Sequence, residues 1–179
     1  MVGSAHPQVV ESLFQQALRW LGDTYRERAF YVERDIVYTV QTKLNELLAE
    51  TRMPWMVYND YPMIPGPRRS LSADLAIVDS SSGVAVAVEF KYEPCHRRHD
   101  VLKNKLPVVV WADVVKDTLR VQEFVNTHKA TVAYAVCIDE GGYLARRDLT
   151  IYTEVHRWDA SPRHDHPVTA FVYRYAPEM

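Results

Sequence analysis

Leu71-Ser-Ala-Asp-Leu-Ala-Ile-Val-Asp79-Ser-Ser-Ser-Gly-Val84-Ala-Val-Ala-Val-Glu89-Phe-Lys91-Tyr-Glu93 decides how this chain is read. Two apolar runs flank a Ser/Gly turn, the pattern of a β-hairpin. Successive side chains of a strand point to opposite faces. Glu89 and Lys91 are therefore expected to share a face with Ala85 and Ala87, while Val84, Val86, Val88 and Phe90 take the other. Small alanines leave room above the charged face, and the β-branched residues behind it can bury against an apolar layer.

If Ser80–Gly83 closes the hairpin, Asp74 comes to lie beside Glu89, and two carboxylates and an ammonium converge. Buried charge is costly unless it is paired or metal-bound. Oxygen ligands from neighbouring strands suit Mg²⁺ or Mn²⁺, which keeps its other positions for water and substrate phosphate. Lys91 would supply a point charge for an attacking water or for developing negative charge.

Asp74, the fifteen-residue step to Glu89 and the run Glu89-Phe90-Lys91 resemble the PD-(D/E)XK nuclease superfamily. Ala73 stands where that signature usually carries proline, a position without a chemical part. The resemblance covers about Glu33 to Asp139 and implies a restriction-endonuclease-like α/β sandwich, a mixed central β-sheet flanked by helices. It implies a metal-dependent phosphodiesterase acting on nucleic acid, DNA ahead of RNA. Asp74, Glu89 and an acid on an early helix, carried here to Glu33 alone, would hold one or two ions. The Phe90 or Val88 carbonyl is a further candidate ligand.

Upstream, apolar residues at three- and four-residue steps predict helices over about Pro7–Leu21 and Tyr31–Glu50. Glu33 lies four residues before Val37 and seven before Val40, on the buried side of the second. Met53-Pro54 ends that helix. Trp55–Tyr61 reads as a strand and Pro62–Pro67 as a rigid loop. Arg68 and Arg69 follow, candidates for phosphate contact.

Downstream, Arg97, Arg98, Lys103 and Lys105 form the most basic segment, a second candidate phosphate-binding surface or a solvated connector. His96 and His99 lack further ligands at metal spacing. Pro107–Trp111 reads as a short strand or the start of the next helix. That helix is expected over about Ala112–His128, with Val114, Val115, Leu119, Gln122 and Val125 buried. Asp117 occupies a polar position loosely like one found in related chains and receives no catalytic role. Strands follow over Thr131–Ile138, Leu149–Trp158 and Val168–Tyr175. The loop holding His164, Asp165 and His166 reads as surface rather than as a zinc site.

The 179 residues suffice for one domain with a real core, and the 47% hydrophobic and 25% charged composition is that of an ordinary globular protein. No membrane span or secretory signal is apparent. Two cysteines without metal spacing fit free thiols in a cytoplasmic protein. A net charge of −2 confines any affinity for nucleic acid to local basic patches. A homodimer is compatible with a nuclease that cuts both strands of a duplex. The competing reading is a catalytically silent nuclease-like module that binds nucleic acid or a protein partner. A third makes Glu89 and Lys91 a surface pair on an edge strand.

Overall fold

The computed structural model describes residues 7–67, 70–98, 108–159 and 166–177. Arg68, Arg69, His99, Lys103, Lys105, His164 and Asp165 lie outside them. Helices α1 (Pro7–Asp23) and α2 (Glu33–Thr51) precede strands β1 (Trp55–Ile64), β2 (Leu71–Asp79) and β3 (Val84–Glu93). Helix α3 (Trp111–Asn126), β4 (Ala130–Asp139), β5 (Glu154–Trp158) and β6 (Val168–Tyr175) complete the chain. The sheet order is β1-β2-β3-β4-β6-β5, with β3 and β4 parallel and the other neighbours antiparallel. It is a mixed sheet between helices.

The parallel β3–β4 pair needs a crossover, which α3 supplies. One apolar layer joins α1 and α2 to Val86, Val88, Phe90 and Tyr92 of β3, with Val132, Tyr134, Val136 and Ile138 of β4. The opposite layer sets Val121, Phe124 and Val125 of α3 against Ala76, Ala87, Ala133 and Ala135. Alanines let α3 approach closely. β3 is interior and its Glu89 is 2% exposed, which excludes the edge-strand surface pair.

The hairpin forms with its turn at Asp79–Gly83, where Asp79 Oδ1 accepts the Ser81 and Gly83 N–H groups at 2.8 Å. A bulge where Ile77 faces Val86 and Val78 faces Val84 resets the alternation. Val84 therefore joins the α3 layer and Ala85 the α1/α2 layer, the reverse of the simple two-residue pattern.

Three other expectations need revision. β1 runs on through Pro62 to Ile64, because an edge strand tolerates proline. Leu149–Thr153 does not extend β5: Asp148 Oδ1 accepts the Thr150 hydroxyl at 2.7 Å and its N–H at 3.1 Å, turning the chain. The buried side of α3 is Val114, Asp117, Thr118, Val121, Phe124 and Val125, while Leu119 is 58% exposed. Trp111 begins this helix, and residues 108–110 lead into it without forming a strand.

Phe124→Ala should therefore cost about 3–5 kcal/mol in urea unfolding. Leu119→Ala should stay within about 0.5 kcal/mol. The opposite ranking would mean that α3 is rotated on the sheet.

Candidate active site

Between β2 and β3 the ladder runs to Leu75–Val88, and the next pair in register would be Asp74–Glu89. There the strands part. β2 continues against β1 through Ala73–Tyr61 and Ser72–Pro62, and β3 continues against β4 from Glu89–Ala135 to Glu93–Asp139. The sheet thus forks at the two acids. Asp74 Oδ2 crosses the fork to accept the Phe90 N–H at 2.7 Å.

A second irregularity faces the first. Along β1 the partners are Asn59–Leu75 and Tyr61–Ala73, so Asp60 stands opposite Asp74. Asp60 has φ 51°, left-handed backbone that is uncommon for a residue other than glycine. It is missing from the ladder at that point.

Glu33 arrives from the first turn of α2. Asp35 fixes that turn by accepting the Tyr31 and Val32 N–H groups at 2.8 and 3.0 Å. Lys91 Nζ lies 3.3 Å from Glu33 Oε2, 2.9 Å from Asp117 Oδ2 and 2.9 Å from the Phe90 carbonyl oxygen. Arg120 Nη1 bridges Glu89 Oε2 at 3.1 Å and Asp117 Oδ1 at 3.2 Å. Glu33, Asp74, Glu89 and Asp117 thus share two cations, Lys91 and Arg120. Fully ionised, the cluster carries two uncompensated negative charges.

The acids line two recesses. Glu33 and Asp74 line one of about 70 Å³ with Arg34, Val37, Tyr38, Asn59 and Asp60. Glu89, Lys91 and Asp117 line a tighter space against Val114, Cys137 and Tyr152.

Burial pushes the Glu89 carboxyl up to about 9, reinforced by the charges of Asp74 and Asp117 and opposed by Arg120 and Lys91. Burial also pushes Glu33 up to about 7, against the pull of Lys91. Asp74 and Asp117 are raised for the same first reason, opposed respectively by the Phe90 N–H and by Lys91. Burial alone would lower the Lys91 ammonium. The Glu33 and Asp117 charges outweigh it and hold the lysine above its ordinary value.

Glu89 Oε1 is buried and has no hydrogen-bond partner among the described residues. An orphaned carboxylate oxygen beside surplus negative charge is a fitting place for a cation. Among the described residues no three His, Cys, Asp or Glu side chains are grouped to hold a metal ion. The acids here close on Lys91 and Arg120 instead. The Phe90 carbonyl, a candidate ligand, accepts from the Lys91 ammonium.

The flanking basic residues divide. Arg98 is 3% exposed, and its guanidinium donates to the Phe30 carbonyl and, at 3.1 Å, to the Tyr92 hydroxyl, with Glu140 at 3.9 Å. That is a structural position closed to phosphate, which corrects its expected role. Arg97 is exposed, with Nη1 3.0 Å from His166 Nε2. Both cysteines are buried free thiols, and no helix of the described residues is long and apolar enough to cross a membrane.

Sequence reasoning assigns no role to Asp117 and misses Arg120 and Asp60. The first two lie one turn apart on α3, and the spacing of Asp117 from Val114 and Val121 was a usable signal that it is buried. In comparisons with known proteins, no family model matches the chain and no curated protein matches it.

A raised carboxyl pKa makes stability depend on pH. Glu89 stays protonated in the fold up to about 9, whereas the unfolded chain releases that proton near 4.5. The folded state holds more protons between those values, so this contribution is complete below the lower one and is lost as pH rises through the upper. With chelator present, the urea midpoint should fall from about pH 6 to about pH 9, and Glu89→Gln should flatten that slope. An unchanged slope in the variant would show that Glu89 is not the group responsible.

Proposed function

We propose that the chain is a divalent-metal-dependent phosphodiesterase acting on nucleic acid, built on a restriction-endonuclease-like sandwich. One observation carries the reading: the β2–β3 ladder opens at the Asp74–Glu89 position, where four acids, Glu89 and Asp117 buried and Glu33 and Asp74 half-buried, gather around two cations. An interior strand has no structural use for such a cluster, whereas phosphoryl chemistry does.

Asp74 and Glu89 would hold Mg²⁺ or Mn²⁺, with Glu33 reaching from α2 and the Phe90 carbonyl within the same fork. When bound, the metal would acidify water and offset charge on the scissile phosphate. Lys91, caged by Glu33, Asp117 and the Phe90 carbonyl, is held as an ammonium and would stabilise charge on the phosphoryl oxygens. Asp117 orients that ammonium from α3. Arg120 keeps Glu89 paired in the metal-free protein and would turn toward phosphate as a cation takes its place. Nucleic acid is the proposed partner, DNA ahead of RNA, with Arg97 on the exposed rim available to phosphate.

The silent-module reading has one observation in its favour, the closure of the acids on Lys91 and Arg120 without a preformed three-ligand group. The two readings diverge under metal titration. Mg²⁺ or Mn²⁺ should raise the melting temperature of the wild type and support cleavage of labelled DNA or RNA. Asp74→Asn should lose both responses, and Lys91→Ala should lose cleavage by about 100-fold or more while still folding. Wild-type protein that neither responds to metal nor cleaves any labelled strand would leave the silent module as the better account.

A further inference from the structure

The recess that Glu33 and Asp74 share is not walled by acids alone. Arg34 and Tyr38, both on α2, form its outer side, and Asn59 and Asp60 of β1 close the other. Tyr38 is 51% exposed, a high value for so large a ring beside a polar recess. The Arg34 guanidinium stands 3.7 Å from the Asp60 carboxylate, with both side chains more than two-thirds exposed. This is beyond hydrogen-bond length, and an exposed pair of this kind contributes little. On either side of Asp60 the same edge strand carries an aromatic pair, Tyr58 and Tyr61, with ring centroids 5.6 Å apart and Tyr58 40% exposed.

An aromatic face, a guanidinium and a pair of acids around one opening form a recognisable set. The ring offers a stacking surface, the guanidinium meets a phosphate, and the acids lie one step further in. Bases inside a duplex already stack on their neighbours, so a protein ring reaches a base face only where the strand is unpaired. At about 70 Å³ the recess exceeds the space of a few waters, which suits a phosphate drawn inward from a strand lying across the mouth.

We infer that the α2–β1 recess takes a run of unpaired nucleotides, with a base stacked on Tyr38 and the adjoining phosphate held by Arg34. The inference rests on the phosphodiesterase reading and narrows its substrate to single-stranded nucleic acid or an unpaired segment. One site then suffices, because no second strand has to be cut, and a dimer is not required. The left-handed turn at Asp60 sets the far wall: it takes that residue out of the β1–β2 ladder, so the edge strand does not close over Asp74.

Fluorescence anisotropy with labelled oligothymidylate, oligouridylate and a blunt duplex of matched length tests the inference, in chelator and again with Ca²⁺. The wild type should bind one or both single strands at least about tenfold tighter than the duplex, and the two single-strand arms separate DNA from RNA. Tyr38→Ala should weaken single-strand binding by about 5- to 150-fold, while Tyr38→Phe, which keeps the ring face, should stay within about twofold. Arg34→Ala should reduce the slope of log affinity against log salt by about one. Equal or tighter duplex binding, or no change with Tyr38→Ala, overturns the inference. If cleavage dependent on Asp74 persists beside either result, the phosphodiesterase reading survives and only the substrate assignment falls. If the wild type binds no strand and cleaves none, both fall together.

Discussion

The structure turns on the place where two neighbouring strands stop pairing. Down to Leu75 and Val88, β2 and β3 make an ordinary antiparallel ladder. One residue further each keeps only its outer partner, and the gap between them is bridged by the Asp74 carboxylate on the Phe90 N–H. Parting strands leave backbone groups to be satisfied, so this side chain replaces a rung of the ladder. It also positions Asp74 next to Glu89. The arrangement of Lys91, Asp117 and Arg120 follows from neutralising acids that the fork brings out of water.

Neutralisation is incomplete, and burial decides how the remainder is handled. In a low-dielectric site an unpaired carboxylate takes up a proton rather than remain charged. Glu89 is the extreme case because it is the most enclosed, with one oxygen on Arg120 and the other unpartnered. Lys91 shows the converse: surrounding acids secure its charge in a setting that would otherwise remove it. A cluster poised in this way responds to any added positive charge by releasing protons.

The hairpin was legible in the sequence because three local signals agree: alternation, a Ser/Gly turn, and ionisable residues where a core strand has none. Those signals lie close together along the chain, and they placed Asp74, Glu89 and Lys91 on adjoining strands. Helical spacing puts Glu33 on the buried side of its helix, and its place among the site acids rests on the hairpin and the family resemblance. Arg98 misled because a basic run normally faces solvent, and its burial depends on Glu140 and Phe30, both distant in sequence. Leu119 misled because α3 turns Asp117 and Thr118 inward, polar residues that a hydrophobic pattern assigns to the outside. Asp60 left no trace, since a single left-handed residue in an edge strand depends on how two strands separate.

The two sides of the fork are held by different means, one of them by buried hydroxyls and charges behind the site. Tyr25 donates to Glu140, Glu140 accepts the Cys95 N–H, and Arg98 and Tyr92 both reach the Phe30 carbonyl. The lysine-bearing strand, the lead-in to α2 and the end of β4 are thereby riveted together. β1 is held differently: it is an edge strand paired with β2, and Gln41 of α2 donates to the Val57 carbonyl at 3.0 Å and accepts from Asn59 Nδ2 at 2.8 Å, while most of its side chains are exposed or half-exposed. A guest entering the fork would therefore meet interlocked buried polar groups on one side and, on the other, an outer strand whose side chains are largely in contact with solvent.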